Sequence, residues 1–340
     1  MDKPERPPEA IDPAQRVIEC TQARVTVLID NVSDLQSTLP PSVRSQTANL
    51  LRANGQWKAA GECLCCANWG LSLLVELDAP WGSASILFDA GPDAASLARN
   101  VDLLGASLSS VSDVVLSHGH WDHAGGLVEA VSRASHGGAT RKVRVHANQG
   151  MFLRRGLRLP SGVVIPFADM PSPPKLEQAG GALNLDPSSR LIADGAGLLG
   201  GPIPRTRPHE IGFPGHVRWD ESRSDWVDDP LIEDERWFAV KIKGRGALVF
   251  SACSHAGIGN VLADAQAAFR GTPVFAVMGG FHLAGPSGER AIEATVQDLH
   301  SFKLEQIVPA HCTGWRAQMA LVQAFGDRVV PSAVGQTYIF

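Results

Sequence analysis

The stretch SHGHWDHAGG (residues 117–126) places three imidazoles and a carboxylate, His118, His120, Asp122 and His123, within six positions. It follows VSDVVLS (111–117), an apolar β-branched run that reads as a buried strand, and leads into HAGGLVEAVSRAS, which has helical spacing. Alternate side chains of an extended segment share a face, so His118 and His120 can share an ion. Asp122 and His123 lie past the turn and can face a second position nearby. Imidazole nitrogen and carboxylate oxygen suit zinc and tolerate iron or manganese. Gly119, Gly125 and Gly126 allow close passage of the backbone. The pattern predicts a centre for one or two cations, with Asp122 also placed to orient an attacking water.

Working outward, ARVTVLIDN (23–31) is a strand, and a polar helical or irregular excursion runs from Ser33 to about Gly61. LSLLVELDAPWGSASILFDAGPD reads as two strands turning at Ala79–Ser83, and DAASLARNVDLLG as a helix capped by Asp93. KVRVHA is another strand. From 151 to about 235 the periodicity fails in a Gly- and Pro-rich stretch, read as short strands and turns forming a lid or rim. Regularity returns with the hairpin RWFAVKIKG/RGALVFSA. Helices near 258–270, 287–302 and 314–325 then alternate with the strands PVFAVMGG, LEQIVPAH and QTYIF. Strands, βα units, strands and βα units again are satisfied by an α/β fold, a four-layer αββα sandwich with helices on the outer faces. Residues 1–22 are expected to form an extended arm, available to a homodimer. Residues 23–340 form one domain with an irregular insertion at about 151–235.

A net charge of −5 in 340 residues argues against a nucleic-acid binder. No apolar run reaches the roughly 18 residues of a membrane span, and the charged, proline-rich amino terminus lacks a secretory core. The expected location is the cytoplasm, with the six cysteines reduced. Cys63, Cys65 and Cys66 have no second pair at zinc-ribbon spacing and read as buried thiols beside a site. Arg141, Lys142, Arg144, Arg154, Arg155 and Arg158 form a basic patch, which is either a solvated surface or, with Arg205 in PIPR, fixed charge for a small anionic substrate.

Two later strands also end in chemistry. ALVFSACSHAG (247–257) delivers Cys253, Ser254 and His255 into a turn. VMGGFHLAGPSGE ends in His282, suited to substrate contact or proton transfer, with Gly280 allowing close approach to a substrate and Gly285–Gly288 opening a helix able to hold an anion. His146 ends KVRVH at the same sheet edge, either supporting the metal centre or packed. His136, His209 and His300 read as solvent-facing.

H-x-H-x-D-H after a strand resembles the signature of the metallo-β-lactamase fold superfamily. GLSLLVE, LFDAGPD, CSHAGIGN, GGFHL and PAHCTG together resemble its 7,8-dihydropterin-6-methyl-4-(β-D-ribofuranosyl)aminobenzene-5'-phosphate synthase-like branch. Asn68 and Trp69 stand where that branch usually has an acidic residue and a histidine. The resemblance implies that Asp89 supports the ligand loop and His311 completes the second metal position. It also implies that Cys253 stands where an aspartate usually bridges two ions. His255 is then the third ligand of the first position, and Cys253 a thiolate ligand or a thiol packed behind the ligands. His216, in GFPGHVRW, matches the third histidine of better-known lactamases but sits in the irregular region. The implied activity is that of a metal-dependent hydrolase using metal-activated water on a small anionic phosphoester, lactone or amide. The alternatives are a synthase joining a pterin-like pyrophosphate to a ribosylated aromatic amine, or a non-catalytic metal-containing binder.

Overall fold

A computed structural model describes residues 16–135 and 142–340. Residues 1–15 of the expected arm, His136 and Arg141 lie outside the described residues.

The β-branched runs form two sheets. The larger has eight strands in the spatial order Gly181–Asn184, Val143–His146, Val111–Val115, Gly82–Phe88, Ser72–Ala79, Gln22–Ile29, Thr337–Ile339 and Val43–Arg44. The second has the order Arg190–Ile192, Gly197–Leu199, Phe238–Ile242, Gly246–Ser251, Val274–Gly280 and Gln306–Ala310, with Glu19–Cys20 also paired to Phe238–Ile242. Alternation along each strand sorts side chains between layers. Leu73, Val75, Ile86 and Phe88 of the first sheet meet Phe238, Val240, Leu248, Phe250 and Met278 of the second in one core. The interleaved Leu74 and Leu87 face instead Leu50, Leu97, Val101, Leu127 and Val131 of outer helices. On the far side, Val249 and Val277 face Val261, Leu262, Leu299, Ala317 and Leu321. The αββα layering follows from these faces.

The expected arm ends early: Val17 is buried and Glu19–Cys20 extends a sheet. The 151–235 region is also more integrated than a rim. Gly181–Asn184 joins the first sheet, while Arg190–Ile192 and Gly197–Leu199 join the second. Only Arg155–Arg158, Val164–Pro166, His216–Asp220 and Asp225–Asp228 form a separate four-stranded sheet. The helix expected at 287–302 is two, Gly285–Glu289 and Ile292–His300, so no long helix begins at Gly285. Among the described residues no helix is long and apolar enough to cross a membrane.

Gly82–Phe88, Val111–Val115 and Val143–His146 run parallel, as do Gly246–Ser251, Val274–Gly280 and Gln306–Ala310. Their carboxyl ends deliver the candidate site residues to a common edge. Asp89, Ser254, His282 and His311 follow these strands with φ of 58°, 49°, 48° and 47°. Left-handed backbone is costly for residues with a Cβ and concentrates at functional sites.

Candidate metal centre

Two donor sets converge at that edge. The Nε2 of His118 lies 3.0 Å from Nδ1 of His120 and 3.2 Å from Nε2 of His255. The second set is Asp122, His123 and His311, with Asp122 Oδ1 at 3.9 Å from His123 Nε2 and Oδ2 at 3.4 Å from His311 Nε2. Cys253 joins the sets, its Sγ lying 3.3 Å from His123 Nε2. All seven side chains belong to buried residues.

Hydrogen bonds behind the donors turn their lone pairs inward. The Asp89 carboxylate accepts from the Ser117 amide (2.8 Å), the Ser117 hydroxyl (2.7 Å) and His123 Nδ1 (2.7 Å). His123 therefore keeps a proton on Nδ1 and leaves Nε2 as the nitrogen available to a cation. Because the Ser117 hydroxyl donates to Asp89, it accepts from His118 Nδ1 at 2.8 Å, which bares His118 Nε2. Such outer contacts fix ligand tautomers in metal sites.

The electrostatics fit cations. Burial holds His118, His120 and His255 well below the ordinary histidine range, so they are neutral and can offer lone pairs to a cation. Burial disfavours a charge on His123 too, but Asp122 and Asp89 outweigh it and push its pKa up to about 9. Burial also resists ionisation of Asp122, yet His123 and His311 hold it below the usual carboxylate range. The second set thus favours positive charge and holds a proton when no cation is there. His311 Nδ1 is buried without a hydrogen-bond partner, and Nε2 faces the Asp122 carboxylate at 3.4 Å, an arrangement that suits a nitrogen and an oxygen sharing a cation. Buried imidazoles with converging lone pairs and one carboxylate fit zinc, and the thiol adds a soft donor.

Several expected residues serve other ends. His146 donates from Nε2 to the Asp113 carboxylate (2.8 Å), which also pairs with Arg144, so His146 is a packed partner away from the donor sets. A Cβ on Gly280 would come 2.3 Å from the Ala252 carbonyl and 2.7 Å from Cys312 Sγ, so its bareness makes room for the protein itself, not for substrate. Likewise Gly119, Gly125 and Gly126 face Met151, Pro92 and Ala90. Arg205 donates to the carbonyls of His255 (3.1 Å) and Leu231, and lines a cleft of about 520 Å³ with Glu233 and Glu235. Those two carboxylates offset its charge, so the cleft is not a cationic subsite. Three residues of the basic patch are spent similarly: Arg144 pairs with Asp113, Arg155 with Asp234 and Arg158 with Asp228, while Lys142 stays exposed. Cys66 is exposed, and Cys63–Cys66 pack on Arg99 and Asn100, apart from the histidines. His209 is half-buried, 3.4 Å from Asp298, whereas His300 is exposed as expected, its ring tilted against Phe325.

His282 does reach the site. Its ring centroid lies 4.3 Å from that of His255, and its Nδ1 has no protein partner. Trp69, at the position of the branch's usual histidine, packs its ring 5.0 Å from His311.

Sequence reasoning missed the supports. Glu235 accepts from the amides of His255 (2.7 Å) and Ala256 (2.6 Å), and burial pushes its pKa up to about 7. Asp234 accepts from the Gly119 amide (2.9 Å) between His118 and His120, and is held by Arg155. The signal was the charged run EDER (233–236) set directly before a buried strand. Cys312 Sγ lies 3.3 Å from Cys253 Sγ. Burial pushes the Cys253 thiol up, whereas the hydrogen bond with Cys253 and the nearby His311 and His282 overcome burial and bring Cys312 well below the thiol range. His216, singled out in the sequence for its resemblance to a lactamase histidine, does reach the site: its Nε2 lies 3.0 Å from His120 Nε2.

Residues 73–226 match the family model of the metallo-beta-lactamase superfamily. In sequence the chain is 26% identical over 260 residues to 7,8-dihydropterin-6-methyl-4-(beta-D-ribofuranosyl)-aminobenzene-5'-phosphate synthase of Methanocaldococcus jannaschii, covering 76% of this chain and 85% of that one. In structure it is similar to Tm1679, described as a metal-dependent hydrolase of the beta-lactamase superfamily, with TM-score 0.66, 25% identity and coverage of 93% and 98%. It is also similar to the metallo-beta-lactamase fold protein YhfI of Bacillus subtilis, with TM-score 0.51, 13% identity and coverage of 94% and 99%.

Proposed function

We propose that this chain, which has the metallo-β-lactamase fold, is a metal-dependent hydrolase acting on a small anionic molecule. One observation carries the reading: six donors from three strand ends converge as His118/His120/His255 and Asp122/His123/His311. Zinc is the cation that the imidazole-rich set with a neighbouring thiol favours. A cation bound there would lower the pKa of a coordinated water from roughly 15.7 to about 7 and polarise a carbonyl or phosphoryl oxygen.

The protein's own groups complete the chemistry. Asp122 stays ionised and can orient a water with an oxygen not committed to a ligand. It is the one carboxylate of the two sets, so two divalent ions would leave those sets net positive, which favours an anionic substrate oxygen. His282, beside His255 with Nδ1 unpartnered, is placed to pass a proton to a leaving group. The packing of Trp69 and Phe213 against His311 and His255 limits bulk water at the donors. Reduced Cys253 and Cys312 suit the cytoplasm.

A second reading, a synthase joining a pterin-like pyrophosphate to a ribosylated amine, is supported by the 26% identity that extends over 85% of the methanogen synthase. Product analysis separates the two: a hydrolase consumes one substrate in buffer, whereas a synthase turns over only with both. Metal analysis of the purified protein, followed by a screen of phosphoesters, lactones and pterin conjugates, tests the reading. Bound zinc and a turnover that both vanish in His118→Ala and His311→Ala are expected. Unchanged metal content or activity in either variant would refute it.

A further inference from the structure

His216 lies 96 residues beyond His120, on a strand of the small separate sheet, yet it meets that ligand in a buried contact. Its two ring nitrogens have different partners. Nδ1 is 2.6 Å from the backbone carbonyl of Asp229, and Nε2 is 3.0 Å from His120 Nε2. A carbonyl oxygen only accepts, so the His216 proton sits on Nδ1 and its Nε2 is a bare acceptor. The hydrogen between the two histidines therefore belongs to His120 Nε2. That leaves the lone pair of His120 on Nδ1, the atom 3.0 Å from His118 Nε2 inside the donor set. Phe167 stands edge-on to His120 at 5.4 Å, and Phe213 stacks on His216 at 5.9 Å. Their rings screen the contact from water, so without His216 the His120 N–H would be left buried and unpaired.

We propose that His216 is a positioning residue that fixes the tautomer of His120, through a relay from the Asp229 carbonyl, so that His120 offers Nδ1 to a cation. His120 is the one member of the first set whose tautomer is set from the insertion, and the insertion thereby acts on the metal centre without supplying a ligand. The proposal rests on the metal-centre reading for its affinity consequence alone, because the tautomer is a property of the metal-free chain.

The test uses the full chain with ¹⁵N-labelled histidine. Two-bond ¹H–¹⁵N correlation spectra of the metal-free wild type read the tautomers directly and need no variant. His120 protonated on Nε2, with His216 protonated on Nδ1, is expected, and the opposite tautomer on His120 overturns the proposal. Zinc affinity is then measured by chelator competition. His216→Leu is expected to lose about 10- to 100-fold, the usual cost of removing such a support. His216→Gln keeps an acceptor oxygen and is expected within about threefold of the wild type. Equal losses in both variants would make His216 a ligand itself, and no loss in His216→Leu would make it packing; either overturns the proposal. Zinc uptake by the wild type decides the metal-centre reading separately.

Discussion

Asp89→Asn isolates the outer support of the second donor set. The backbone is not the confounder, because Asp89 sits at φ 58° and asparagine tolerates that region nearly as well. The carboxylate accepts three hydrogen bonds, Ser117 N–H on Oδ1 and both Ser117 O–H and His123 Nδ1–H on Oδ2. A carboxamide has one oxygen for these three donors. If that oxygen takes the Oδ1 place, the amide nitrogen meets His123, which must move its proton to Nε2 and so blocks the atom facing Cys253 and Asp122. If it takes the Oδ2 place, the Ser117 amide is left without a partner in a fully buried site. Leaving one such donor unpaired costs about 1–3 kcal/mol of folding stability. Misplacing the His123 proton should weaken zinc binding about 10- to 100-fold, equivalent to about 1.4–2.8 kcal/mol at 1.4 kcal/mol per factor of ten. Urea unfolding of the metal-free protein measures the first quantity and chelator competition the second. An Asp89→Asn protein with wild-type midpoint and wild-type zinc affinity would refute the claim that this carboxylate sets the His123 tautomer.

Three further expectations follow from the same contacts. Cys253→Ser should reduce metal content less than His118→Ala does, and should abolish any thiolate-to-metal charge-transfer band of the cobalt-loaded protein; full retention of that band would take the thiol out of the ligand set. Arg155→Leu strands the buried Asp234 that holds the Gly119 amide, and should cost about 3–5 kcal/mol in urea unfolding; a loss near zero would mean Asp234 finds another partner. Glu210 accepts from the Gly259 and Asn260 amides, yet burial pushes its pKa up to about 7 from 4.5. A raised folded-state pKa gives stability that is present below 4.5 and lost as pH rises through about 7. Relative to Glu210→Gln, the wild type should therefore lose up to about 3 kcal/mol between pH 4.5 and 8, taking 1.36 kcal/mol per pKa unit; parallel stability profiles of the two proteins would contradict the assignment.

The sandwich and most of the donors were legible in the linear chain, because strand alternation and strand ends are local. His118, His120, Asp122 and His123 lie within one turn, and His255, His282 and His311 come four, two and one residues after the ends of apolar strands. Local pattern also indicated irregularity at 151–235, but it could not say that parts of that stretch complete both large sheets. Residues such as Arg155, Arg205 and Gly280 have no local signal for their partners: a guanidinium reads as available charge until a carboxylate or carbonyl from another segment is placed against it.

By itself, then, the sequence determined which side chains can bind a cation and on which strand ends they ride, since period-two geometry acts over neighbouring residues. Tertiary structure alone decided which nitrogen of each imidazole faces inward, that Cys312 meets Cys253, and that Asp234, Glu235 and His216 stand behind the candidate donors. Those outcomes depend on a proton's nearest acceptor and on burial, and both are set by segments tens to more than a hundred residues apart.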